Sequence, residues 1–178
     1  YLAQRDMSQE IVEHFSLGCS LDSWDSLLQF LRSQGYSEKE AAEAGLLSQN
    51  DRGRIYDRFR KRLIFPISDL SNKVIAFGGR VLSSEDEPKY INSSESPIYT
   101  KGDHLYGLYQ ARRAITANKR ALITEGYVDV LTLHQFGYTN GCGVLGTALT
   151  KNQVKRLSGF CSQVTLLFDG DNAGRKAA

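Results

Sequence analysis

The chain has 178 residues, of which 41% are hydrophobic and 24% charged, a composition that builds an ordinary buried core and excludes disordered and fibrous classes. Its 22 Lys and Arg face 20 Asp and Glu, for a net charge of +2. That is too near balance to argue a nucleic-acid partner from total charge, so the distribution has to decide.

Cys19, Cys142 and Cys161 are widely spaced, odd in number and without CxxC pairing, which argues against a zinc ribbon or a disulfide framework. No apolar run reaches the roughly 20 residues needed to span a bilayer, and YLAQRDMSQE is no signal peptide. The expectation is a reduced, cytoplasmic protein with no membrane partner. An opening at Tyr1, and a close on Ala177-Ala178 with no Gly or Pro stop, predict a fragment of a longer parent.

In chain order, Ser8 precedes Ile11, Val12 and Phe15, whose spacing predicts a first helix. Trp24, Leu27, Leu28 and Leu31 repeat that spacing over 23–31, with Gly35 as the stop. Ser37 and Glu40 form a capping box ahead of a third, short helix. The period then changes. LLSQNDRGRIYDRF predicts two strands around a turn at Asn50 to Gly53. RLIFPISD and VIAFGGRVLS read as strands joined by a turn at 70–73, KYINSS as a further strand, and SSEDEPK as a polar surface loop.

LYGLYQARRAITA, residues 105–117, predicts a helix with Arg112 and Arg113 in solvent. From there strands and helices alternate: ALITE, YVDVLTLHQFG, CGVLG, TKNQVKRLSG with a Thr150/Gln153 capping box, QVTLLFD, and a beginning helix. Such a βαβαβα run implies a parallel sheet covered on both faces, with any ligand outside the carboxyl ends of its strands.

Two strands end in acids there, one at Glu125-Gly126 and one at Asp169-Gly170-Asp171. If those strands are neighbours, their carboxylates converge and call for a counter-charge. Mg²⁺, with Mn²⁺ as a substitute, suits hard oxygen ligands and takes its remaining ligands from water and phosphate. The two glycines fit a sharp bend and a close phosphate approach. His14, His104 and His134 share no ligand-type spacing, so no zinc site is expected. Asp129 lies one turn into the following helix, where it either supports the metal or faces solvent. The plainer alternative is that these acids are helix N-caps.

From Ala121 onward the chain resembles a Toprim domain, whose hallmarks are the strand-end glutamate and the later DxD. EGYVDVLTLHQFG and FDGDNAGRKAA, together with DRFRKRLIFPI, FGGRV, KYINSSES and KGDHLYGLYQAR upstream, resemble bacterial DNA primase, the DnaG family, over nearly the whole chain. The resemblance implies an α/β fold: a basic α+β subdomain at 1–117 for template and nucleotide binding, then a Rossmann-like Toprim sheet at 118–178, incomplete at its C-terminal side. It implies metal ligation and catalysis by Glu125, Asp169 and Asp171, with Asp129 as a further metal residue. The activity implied is synthesis of short RNA primers from ribonucleoside triphosphates on single-stranded DNA, by two-metal nucleotidyl transfer. The setting is the bacterial replication fork, with a replicative helicase bound through a domain absent here.

Arg52, Arg54, Arg58, Arg60, Lys61 and Arg62 stand against the single acid Asp57. The cluster is suited to phosphates, with Tyr56 and Phe59 interleaved to stack on bases; the alternative is a solvated strand face with the aromatics in the core. The resemblance adds Arg80, Lys89, Asn92, Lys101 and Arg5 as residues for template, initiating nucleotide or triphosphate. Two rival readings stay open: a Toprim topoisomerase or nuclease, and a catalytically incomplete fragment that only grips single-stranded DNA.

Overall fold

The computed structural model describes residues 1–83, 87–146 and 148–177. Residues 84–86 of the expected polar loop, and Ala178 of the expected last helix, lie outside the described residues. In chain order come α1 (Gln9–His14), β1 (Gly18–Cys19), α2 (Ser26–Ser33), α3 (Glu38–Glu43), β2 (Leu47–Gln49), β3 (Ile55–Asp57), β4 (Arg62–Ser68), β5 (Val74–Val81) and β6 (Tyr90–Asn92). These are followed by α4 (Leu108–Asn118), β7 (Arg120–Thr124), α5 (Tyr127–Gln135), β8 (Gly141–Gly143), α6 (Lys151–Leu157), β9 (Gln163–Leu167) and α7 (Asn172–Ala177). By contact the chain divides into two units, residues 17–66 with 75–99, and residues 1–16, 67–74 and 100–178. Among the described residues, no helix is long and apolar enough to cross a membrane.

The unit of residues 17–66 and 75–99 carries an antiparallel sheet in the order β1-β4-β5-β6 and the separate hairpin β2-β3. The predicted hairpin turn forms because Asn50 Oδ1 accepts the N–H groups of Arg52 at 3.1 Å and Arg54 at 2.9 Å. An Asn side chain folding back on its own turn stabilises such a bend. Along β4, Leu63, Phe65 and Ile67 are buried and alternate with less buried neighbours, the period-two pattern of a one-sided strand. Helix α3 carries the expected Ser37/Glu40 capping box.

Helix α2 begins later than the spacing predicts. Asp57, at the end of β3, accepts from the backbone N–H groups of Leu27 at 2.7 Å and Leu28 at 3.0 Å. A cap delivered from another strand thus fixes the helix start. Trp24 lies ahead of that start, off the apolar face on which it was expected, and is 54% exposed. The stop at Gly35 is as expected: its φ is +86°, and the Tyr36 N–H reaches the Leu31 carbonyl at 3.0 Å.

In the other unit, α4 starts at Leu108 rather than Leu105. Tyr106 is held extended by reciprocal hydrogen bonds to Gly143 of 2.8 and 3.0 Å, and Gly107 turns the chain at φ +74°. A Cβ at 107 would lie 2.9 Å from Val130 Cγ1, so the turn needs glycine on two counts. Arg113 is exposed as expected, but Arg112 is half-buried, hydrogen-bonded to the Leu70 carbonyl and 4.4 Å over the Tyr109 ring.

The parallel sheet has the order β8-β7-β9, with Thr124 paired to both Gly143 and Leu167. Ala121, Ile123, Cys142 and Val144 form its buried core together with Ile115 and Leu157. Gln153, wholly buried, donates to the His104 carbonyl at 2.7 Å and accepts from the Thr150 N–H at 3.0 Å, completing the predicted capping box. Cover on both faces is not complete: on β9, Val164 is 40% and Leu167 44% exposed.

Candidate functional site

β7 and β9 are direct neighbours, so the acids that follow them meet at one sheet edge. Glu125 Oε1 accepts the backbone N–H of Asp169 at 2.7 Å, tying the two strand ends together. Gly174 lies against this contact. A Cβ there would overlap the Asp169 carbonyl oxygen and stand 2.6 Å from Glu125 Oε1, so α7 approaches the site only because residue 174 has no side chain.

Asp129 belongs to the same electrostatic neighbourhood. Loss of hydration at the start of α5 pushes its carboxyl pKa up, and the charges of Asp169 and Glu125 push it further. A hydrogen bond from Gly126 and the positive charge of Arg5 oppose that rise. Gly126 itself is extended rather than sharply bent; its lack of a side chain makes room for Asp129 Oδ2, which would lie 2.8 Å from a Cβ. Asp171 Oδ1 accepts the Gly174 N–H at 2.8 Å ahead of α7. Among the described residues, no group of three or more His, Cys, Asp or Glu side chains is gathered tightly enough to hold a metal ion.

Of the predicted basic residues of this unit, Arg5 acts on Asp129, and the Lys101 ammonium reaches the loop after β8, 3.7 Å from where a Cβ of Gly146 would be.

In the unit of residues 17–66 and 75–99, Tyr56, Arg58, Arg60, Lys61 and Arg62 line a cleft of about 410 Å³ together with the acids Asp22 and Glu87. The Arg60 guanidinium stacks 4.0 Å above the Trp24 ring, Arg54 lies 5.6 Å from it, and Tyr56 meets it edge-on at 5.5 Å. This leaves an exposed indole framed by cations. Trp24 was read as helix core, because spacing alone cannot tell an inward tryptophan from one just ahead of a helix.

Other members of the basic cluster are tied into the fold by their own hydrogen bonds. Arg62 is buried and donates to the Pro88 carbonyl at 2.9 Å. Arg58 bonds the Asn92 carbonyl at 2.8 Å and Ser48 Oγ at 3.2 Å, and burial pushes its pKa down. Phe59, expected to stack on bases, is 6% exposed and packed on Phe77, and a Cβ at Gly79 would lie 2.6 Å from its ring. Arg80 and Lys89 lie 5.8 and 5.9 Å from the Tyr90 ring on β6.

The family model described as "DNA primase catalytic core, N-terminal domain" matches residues 1–112. The chain belongs to the DnaG-type DNA primase family. A Toprim-like model matches residues 122–178. The DNA primase of Deinococcus radiodurans is 45% identical over 99% of the chain, and that of Pasteurella multocida 46% identical over all of it. The chain spans 31% and 30% of the lengths of these primases. Among solved structures, a DNA primase domain from Pseudomonas aeruginosa superposes with a TM-score of 0.91 at 45% identity, covering 99% of this chain and 55% of that one. A DnaG primase catalytic domain bound to single-stranded DNA superposes with a TM-score of 0.89 at 42% identity, covering 99% of this chain and 55% of that one. The primase fold is therefore shared across both units.

Proposed function

We propose that the chain is the part of a DNA primase that joins ribonucleotides into short RNA primers on single-stranded DNA, with Glu125, Asp169 and Asp171 as its catalytic metal-holding carboxylates. The observation that carries this reading is the 2.7 Å contact between Glu125 and the Asp169 amide at adjoining strand ends in a chain of the primase family.

The donor set fits magnesium rather than zinc. Carboxylate oxygens are hard ligands, and Mg²⁺ keeps several waters and takes others from substrate phosphates, so a few protein carboxylates suffice without a closed cage. Glu125, Asp169 and Asp171 would hold the metal ions, which would supply a lowered pKa at the primer 3′-hydroxyl and charge neutralisation for the pyrophosphate. Mn²⁺ is the expected substitute. Asp129 raises the negative field at that edge, and Asp171 holds the start of α7 against it. Arg5 and Lys101 supply positive charge for a triphosphate. Template binding falls to Trp24, framed by Arg54 and Arg60, and to Arg58, Arg80, Lys89 and Asn92 of the same unit; an exposed ring beside guanidinium groups takes any base by stacking. The working division is 1–117 for template and nucleotide and 118–178 for metal, a boundary supported by the limits of the two family matches. The working location is the cytoplasmic replication fork, with the replicative helicase as partner of the longer protein.

The use of Asp171 Oδ1 as a helix cap favours a second reading, in which this part grips single-stranded DNA without catalysis. Incubation of the full-length protein with template, ribonucleoside triphosphates and Mg²⁺ separates the readings. Template-dependent RNA products support primer synthesis, cleaved DNA supports a Toprim nuclease, and binding indifferent to Mg²⁺ supports the grip.

A further inference from the structure

Residues 6–8 are held by one side chain far away in sequence. Gln135, at the end of α5, accepts the Ser8 N–H on Oε1 at 2.7 Å and donates from Nε2 to the Asp6 carbonyl at 2.8 Å. Between these two contacts Met7 is buried. Asp6 adopts the left-handed conformation, φ 51°, and closes the short turn Ala3–Arg5 with its own N–H on the Ala3 carbonyl. A primary amide can both accept and donate in this way, and it reads only main chain.

Arg5 adjoins the clamped stretch; its guanidinium lies 5.0 Å over the Tyr1 ring, and its charge opposes the rise in the Asp129 carboxyl pKa. Asp129 lies on the same helix, six residues before Gln135, or about 9 Å along the axis. Gln135 itself is too far along that helix to meet the strand-end acids. We propose that Gln135 is a positioning residue: by clamping the backbone of residues 6–8 it fixes Arg5 beside the acidic edge, where the guanidinium receives the triphosphate of the incoming ribonucleotide. The proposal rests on the reading of that edge as the nucleotide site. A guanidinium on an unclamped segment would have to be ordered by the nucleotide at each binding event, and that ordering cost weakens binding.

The test compares the full-length protein with Gln135→Met, Arg5→Ala and the double variant. Methionine keeps the length of the side chain and loses both hydrogen bonds. Loss of the clamp is expected to speed amide exchange at Ser8 by about tenfold and to raise KM for the initiating ribonucleotide by a similar factor, with kcat changed less. The double variant is expected to match Arg5→Ala alone. Gln135→Glu keeps an acceptor for Ser8 and loses the donor to Asp6; it should give an intermediate KM, and it carries the same comparison if the Met variant does not fold. Faster Ser8 exchange with unchanged KM, or losses that add in the double variant, would overturn the proposal and leave Gln135 a structural residue. If Glu125→Gln leaves nucleotide addition intact, the acidic-edge reading fails instead, and the double-variant comparison still decides whether Gln135 acts through Arg5.

Discussion

Glu125 and Asp169 are 44 residues apart, yet the carboxylate of the first accepts the backbone N–H of the second at 2.7 Å. Parallel pairing of β7 with β9 makes this possible, because it brings both strand ends to one edge in register. Gly174 permits it. Gly174→Ala is expected to push α7 off the edge, lowering stability by about 1–3 kcal/mol and abolishing ribonucleotide incorporation. Thermal denaturation beside a primer-synthesis assay checks both effects, with Gly159→Ala, whose Cβ would come no nearer than 3.6 Å to the Arg156 carbonyl oxygen, as the control.

The Trp24 ring should contribute to DNA affinity and little to folding, since it is exposed and framed by Arg60 and Tyr56. Trp24→Ala is expected to weaken single-stranded DNA binding by about 1–3 kcal/mol, as for other base-stacking aromatics. Arg60→Ala should reduce the slope of log affinity against log salt by about one contact's worth, about 0.7 on single strands. Arg62→Ala, in contrast, should lower the melting temperature, because that guanidinium is buried on main-chain carbonyls. Fluorescence anisotropy at several salt concentrations reads the first two variants, and thermal denaturation the third.

Much of this architecture was legible in the sequence. Asn50 and Ser37 announce their turn and helix because each bonds backbone only a few residues away. The alternation after residue 120 is likewise local, and it gives Glu125 and Asp169 as strand-end acids. What was not legible depends on distant partners. The start of α2 is set by Asp57, 30 residues beyond Leu27. Arg62 looks like its basic neighbours until Pro88 and Gly79 bury it. Gln135 reads as an ordinary polar residue at a helix end until Ser8, 127 residues earlier, is seen on its side chain.

Asp57 carries a stability prediction of its own. It is 2% exposed and accepts from two backbone amides of α2. Asp57→Ala leaves those donors buried without a partner and is expected to cost about 2 kcal/mol, the upper range for a helix cap. Denaturant melts measure this, and Asp22→Ala should change little, because Asp22 is exposed and meets Lys61 at 3.9 Å on the surface.

His134 sets a pH dependence. It is 6% exposed, its Nε2 lies 2.9 Å from the Gly141 carbonyl, and burial pushes its pKa below the ordinary value of about 6.5. The unfolded chain therefore takes up a proton before the folded one does. Stability is fully present above the unfolded pKa and is lost as the pH falls through and below it. Unfolding free energies measured from about pH 7.5 down to about 5.5 should decline more steeply for the natural chain than for His134→Gln, which keeps a donor and does not titrate.

The central claim is that the carboxylates at the ends of β7 and β9 perform the chemistry. Template-directed ribonucleotide incorporation by the full-length protein, with Glu125→Gln and Asp169→Asn beside it, tests this most directly. Incorporation is expected to fall by about a thousandfold or more in each variant, with single-stranded DNA affinity and melting temperature nearly unchanged. Incorporation that persists in both variants would contradict the account, and would return these acids to the role of strand-end and helix-cap residues.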